Sequence, residues 1–154
     1  MIFGVSPTRD TVVVARTVGS GETFVITSIT AIRFQARSGD DLAALRSRLN
    51  AIFGQGDKRR RSTIALLSSS SGRFKASVEA IKAEAVAELA AVESGVPMVK
   101  VTASSLKKAL GCATGQKWQA RAAERFNREG LLANWSRGAA GATAAALKVA
   151  SDRQ

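Results

Sequence analysis

The side chains that could do chemistry here exclude more than they allow. There is no histidine and no tyrosine among the 154 residues. Imidazole acid–base catalysis and histidine-ligated metals are therefore excluded. The single cysteine, Cys112, has no histidine to activate it as a nucleophile. It follows Gly111 at an apolar helix end and reads as a small filler of the interior. What remains is cationic. Lys117, Arg121 and Arg125 recur at i, i+4 and i+8, one stripe on a helix. Like charges at that spacing repel, so a polyanion such as a phosphate backbone is the counterpart they suit. Lys107, Lys108 and Arg128 extend the patch. The plain alternative is a solvated face, with Glu124 pairing with Arg121 and Arg128. A second anion-binding candidate is the run of serines from Ser68 to Ser71, then Gly72, Arg73, Phe74 and Lys75, leading into a helix N-terminus. It lacks the spacing of a P-loop, and a flexible capped loop is an equal reading.

The whole-chain charge points the same way. Net charge is +11, from 23 Lys and Arg against 12 Asp and Glu. Residues 97–154 hold ten of the basic residues and only three acidic ones, so +7 of the excess sits in the last third. Such a field attracts nucleic acid or another anionic surface. Aromatics are few, six Phe and two Trp, and fall at core-like positions, so base stacking is not expected to carry recognition. No apolar run approaches the ~18 residues of a membrane span, and no membrane partner is expected. The start, MIFGVSPTRD, lacks the basic opening of a signal peptide. With a lone cysteine besides, the expectation is a cytoplasmic protein. At 16.1 kDa a single domain over residues 1–154 is the simplest organisation.

The elements that must position these groups follow in order. Residues 1–5, 11–18 and 23–34 are apolar and β-branched, separated by Ser6-Pro7 and Gly19-Ser20-Gly21, and predict a three-stranded antiparallel meander. Leu42, Leu45, Leu49 and Ile52 recur at helical spacing, with Ser38 or Asp40 as cap. The basic run Asp57-Lys58-Arg59-Arg60-Arg61 reads as a solvated connection. Residues 63–67 predict a strand buried on both faces. The next helix carries an apolar stripe at Val78, Ile81, Ala85, Leu89 and Val92, with Lys75 and Glu79 paired on the other side, and ends at Gly95 before Pro97. Residues 98–101 predict another buried strand. This strand–helix–strand is a right-handed parallel crossover. Residues 104–110 and 115–128 are helical in pattern, the latter turning Trp118, Ala122 and Phe126 inward. Leu131, Leu132 and Trp135 plug the core, and residues 139–150 form a small-residue helix.

Four stretches, Ile2 to Pro7, Ile64 to Leu67, residues 101–111 and residues 138–150, together resemble the RuvC-type Holliday-junction resolvases of the ribonuclease-H-like superfamily. Ile2 to Pro7 is similar to the first-strand signature, in which an Asp precedes the Pro. Ile64 to Leu67 is similar to the strand that ends in a catalytic Glu. Residues 101–111, with Lys107 and Lys108, resemble the segment after the last strand. Residues 138–150 resemble the closing alanine-rich helix. The resemblance implies an α/β fold: a five-stranded mixed sheet, meander plus parallel crossover unit, flanked by helices. It also implies two Mg²⁺ ions held by three or four carboxylates. Here the first Asp position is Ser6, and the Glu position falls on Leu67 or Ser68. The closing helix offers only Ala140, Gly141, Ala142, Thr143 and Ala144. A hydroxyl cannot replace a carboxylate in charge, so the chain reads as a degenerate bacterial member with no metal, cofactor or catalytic residue. A displaced site would need Asp10, Glu79 or Glu84. The last two lie five apart on a helix, so they point about 140° apart and do not converge. The first expectation is an inactive protein binding nucleic acid, DNA ahead of RNA, through its basic C-terminal third. The second is a protein-interaction or assembly module, which could be a homodimer. The third is a nuclease with displaced ligands.

Overall fold

The computed structural model describes residues 1–55, 61–69 and 76–154. β1 (Ile2–Pro7), β2 (Thr11–Val18) and β3 (Val25–Arg33) form the antiparallel meander. α1 (Gly39–Phe53) leads to β4 (Thr63–Leu67), α2 (Val78–Ser94) and β5 (Met98–Val101). α3 (Ala103–Leu110), α4 (Trp118–Phe126) and α5 (Ala139–Asp152) complete the chain. The sheet order is β3-β2-β1-β4-β5, with β4 parallel to both β1 and β5. This is the five-stranded mixed sheet, flanked by helices, that the resemblance implies.

β1 lies at the centre and its side chains alternate between two layers. Phe3 and Val5 join Leu45, Leu49 and Phe53 of α1 and the alanines of α2. Ile2 faces α5 and the α3–α4 layer. Gly4 faces α5 with no room to spare: a Cβ there would lie 1.8 Å from the carbonyl oxygen of Ala142. The close approach of strand and helix is what makes α5 a run of alanines. Local signals hold the helices in place. Ser38 accepts from the Asp41 amide at 3.3 Å and Ser77 from the Ala80 amide at 3.1 Å. Gly95 ends α2 at φ 66°, a left-handed turn that glycine adopts at no steric cost.

Four expectations are corrected. The stripe Val78, Ile81, Ala85, Leu89, Val92 is not the buried face of α2; it faces away from the fold, and Ala80, Ala83, Val86, Ala87, Ala90 and Ala91 face inward. β5 is not buried on both faces: as the edge strand it leaves Val99 and Lys100 exposed. Leu131 is 78% exposed and plugs nothing, whereas Trp135 packs between α5 and β2. α4 begins at Trp118, with Lys117 as its N-cap. Gly72, Arg73 and Lys75, with most of the basic run before Arg61, lie outside the described residues. Among the described residues no helix is long and apolar enough to cross a membrane.

Candidate functional site

β1 and β4 are parallel neighbours, so their C-terminal ends open on the same edge of the sheet. α5 starts over that edge. This is where the resemblance puts a metal centre. Ser6, 5% exposed, and Leu67, half-buried, both face the α5 layer. Gly141 of α5 sits on both: a Cβ added to it would fall 2.8 Å from Leu67 Cδ2 and 2.9 Å from Ser6 Oγ. Gly138 brings α5 in at φ 139°, with room for a Cβ only 3.0 Å from Val13 Cγ2. Ala140 and Ala144 are buried, and so is Thr143, whose Oγ1 has no hydrogen-bond partner among the described residues. The centre is thus one hydroxyl, one isobutyl group and a helix turn without a projecting side chain. Two divalent cations need several anionic oxygens. These residues do not fit a two-metal centre. Among the described residues no cluster of three Asp, Glu or Cys could hold a metal at all.

The carboxylates that could replace the missing ones are dispersed. Glu84 comes closest, approaching the end of β4 from the α2 layer, the other side of the sheet. It is buried and its oxygens are taken: Ser68 Oγ donates at 3.3 Å, Ser69 N at 3.1 Å and Ser69 Oγ at 2.5 Å. Lys100 Nζ stands 3.9 Å away and bonds to Glu88 more closely still. The hydrogen bond and then the charge of Glu88 raise the Lys100 pKa above the ordinary lysine value. Asp10 is exposed in the β1–β2 turn, accepting from Thr11 Oγ1 at 2.9 Å. It borders an open cleft of about 530 Å³ with Arg33, Asp41 and Arg48. Glu79 is half-buried one turn before Glu84 and does not approach it.

The cationic stripe is divided by the fold. Arg121 is a structural tie: its Nε donates to the Leu110 carbonyl at 3.2 Å and its Nη1 pairs with Glu124 at 3.2 Å. Arg125 reaches the Gly21 carbonyl at 3.4 Å and lies over the Phe126 ring. Gly21 lies between β2 and β3, at the edge where β1 begins, so Arg125 is at the far end of the sheet from Ser6. Lys107, Lys108, Lys117 and Arg128 are exposed, with no ion-pair partner among the described residues. Two cations missed by the sequence reading lie close in sequence to Ser6 and Gly141. Arg9 is two residues past Pro7, and Arg137 immediately precedes Gly138; both are exposed. They lie far apart in the chain and form no run, so spacing could not pair them.

No family model matches this chain, and no curated protein matches it. Solved structures do. The RuvC structure of Thermus thermophilus superposes with TM-score 0.70 at 17% identity, over 96% of this chain and 91% of that one. T. thermophilus RuvC in complex with a Holliday junction substrate superposes with TM-score 0.68 at 14% identity, over 96% and 90%. At these identities the likeness establishes the fold alone: a RuvC-like five-stranded mixed α/β sheet flanked by helices.

Proposed function

We propose that this chain is a catalytically inactive ribonuclease-H-like protein that binds nucleic acid, DNA ahead of RNA, through its basic C-terminal surface. In this reading residues 1–154 act as one cytoplasmic domain without a cofactor. The observation that carries it is the contact of Gly141 with Ser6 and Leu67, which leaves neither charge nor space where the nuclease scaffold would hold metal. Binding is supported by the exposed cations Lys107, Lys108, Lys117 and Arg128, and by the exposed Arg9 and Arg137. One structural neighbour was solved with a Holliday junction, which makes branched DNA the first ligand to try. Arg121 and Arg125 contribute to the field while serving the fold, so they are poor sites for a test.

The experiment is fluorescence anisotropy with a four-way junction and a linear duplex across a salt series. Affinity should fall steeply with salt, as phosphate-led binding does. Reversing three exposed charges, Lys107→Glu, Lys108→Glu and Lys117→Glu, should weaken it at least about tenfold. No binding at low salt would reject the nucleic-acid reading. Cleavage in Mg²⁺ or Mn²⁺ that disappears in Asp10→Asn would reject inactivity and favour displaced ligands. A protein-assembly role is the second reading, and the exposed aliphatic face of α2 favours it.

A further inference from the structure

The open cleft of about 530 Å³ beside Asp10 differs from the cationic surface: it holds charges of both signs over an apolar floor. It lies between the end of β3 and one face of α1, on the side of the sheet away from α5. Asp41, Ala44, Leu45 and Arg48 recur at i, i+3, i+4 and i+7, so a single helix face supplies them. Ile32 and Leu45 are buried beneath the cleft and belong to the core around Phe3 and Val5. The floor is therefore fixed. The chain leaving β3 is tied down as well. Phe34 N donates to the Asp10 carbonyl at 3.0 Å, Arg37 N to Asp41 Oδ2 at 3.0 Å, and Lys82 Nζ to the Ala36 carbonyl at 3.2 Å. A preformed cleft of this volume, apolar below with a few polar groups above, is how small-molecule sites are built.

The charges specify the ligand. Arg33 and Arg48 are exposed, and neither guanidinium has a hydrogen-bond or ion-pair partner among the described residues. Asp10 and Asp41 line the same cleft without pairing with them. Each carboxylate takes a neutral donor instead: Thr11 Oγ1 at 2.9 Å for Asp10, the Arg37 amide for Asp41. Each keeps one oxygen unbonded among the described residues. Cations and anions held apart over an apolar floor suit a ligand that carries an anion, hydroxyl donors and a flat apolar body. Two guanidinium forks match a phosphate dianion in charge and in bidentate geometry. Carboxylate oxygens accept from a ribose diol, as they do in dinucleotide sites. The half-buried Phe34 ring and the floor offer a base its surface. Inorganic phosphate or an amino acid would leave that floor uncovered. A running polynucleotide would bring further phosphates against Asp10 and Asp41, which repel them.

We propose that this cleft binds a free nucleoside monophosphate, with Arg33 and Arg48 on the phosphate and Asp10 and Asp41 on the sugar hydroxyls. The proposal is independent of nucleic-acid binding at the basic surface. Amide chemical shifts of the full chain, followed during titration with AMP, GMP, CMP and UMP to millimolar concentration, test it. At least one nucleotide should give saturable shifts at Phe34, Gln35 and residues 41–48. No saturable shift with any of them would overturn the proposal, as would shifts centred on Lys107, Lys108 and Lys117. The matching nucleoside and inorganic phosphate should each bind at least about tenfold more weakly than the nucleotide. Arg33→Ala with Arg48→Ala should weaken nucleotide binding at least about tenfold. Lys107→Glu, Lys108→Glu and Lys117→Glu together should leave it unchanged; an equal loss there would reduce the site to the general cationic field and refute it. Asp10→Ala with Asp41→Ala should also weaken binding. Removing two negative charges would strengthen a contact made to phosphate alone, so tighter binding by that variant would overturn the assignment. A phosphorylated trinucleotide that outcompetes every mononucleotide would do the same.

Discussion

α5 and α2 cover opposite faces of one sheet, and both are rich in alanine, but they are used in opposite ways. α5 is enclosed: eleven of its fourteen residues are buried, between β1 on one side and α3, α4 and Trp135 on the other. α2 is covered on one side only, with seven of seventeen residues buried. In α5 alanine and glycine face the sheet, and in α2 most of the inward residues are alanine, because close approach of backbones leaves little space for more. The bulky aliphatics of α2 are consequently on its free side. Side-chain size, more than hydrophobicity, decided which face went inward.

The enclosed helix should be the intolerant one. Gly4→Ala puts a methyl group 1.8 Å from the Ala142 carbonyl, and backbone cannot yield as a side chain does. It should cost about 3 kcal/mol or more, enough to abolish the native baseline in urea denaturation. A Gly4→Ala protein within about 1 kcal/mol of the parent would show that α5 can slide off β1, and the contrast between the helices would dissolve. Gly141→Ala is the milder version, where α5 meets Ser6 and Leu67. Its methyl meets the tip of Leu67 and the Ser6 hydroxyl, both able to shift a little, so about 2 kcal/mol is expected. Leu67→Ala should relieve part of that. A double-mutant cycle should return a coupling of about 1 kcal/mol, and an additive cycle would mean the two do not touch.

On the α2 side the sensitive point is polar. Glu84 holds Ser68 and Ser69 by three hydrogen bonds from a buried carboxylate. Glu84→Ala should cost about 2 kcal/mol, because it strands partly buried donors, and Glu84→Gln about half as much. The local readout is hydrogen exchange at the Ser69 amide, which should speed up in both variants. Unchanged exchange would mean that Glu84 does not anchor the end of β4.

Much of this architecture was legible because it is written locally. The β-branched runs of β2 and β3, the Ser38 cap, and Gly95 with Pro97 each dictate structure without help from distant residues. The lack of a carboxylate at Ser6 and along residues 140–144 was legible directly. Three things were not. Periodicity found the right stripe on α2 but could not say which of two opposite faces goes inward, since a hydrophobicity count ranks valine and leucine above alanine. β5 looks like a buried strand in composition, yet exposure is set by its place at the sheet edge. The spacing of Lys117, Arg121 and Arg125 draws one stripe, but the Leu110 and Gly21 carbonyls that claim the two arginines come from other segments.

The smallest effect is expected where sequence patterning alone would place a large one. Val92 belongs to the apolar stripe, and a core valine replaced by serine would lose burial and strand a hydroxyl, at about 2 kcal/mol or more. Yet Val92 is 79% exposed in the monomer. Val92→Ser should therefore change unfolding free energy by no more than about 0.5 kcal/mol when measured at high dilution. A penalty of about 2 kcal/mol that is already present at dilution and does not vary with concentration would mean that α2 is covered from within its own chain. In that case the two faces of the sheet would be built alike, and size would no longer explain how the helices are turned.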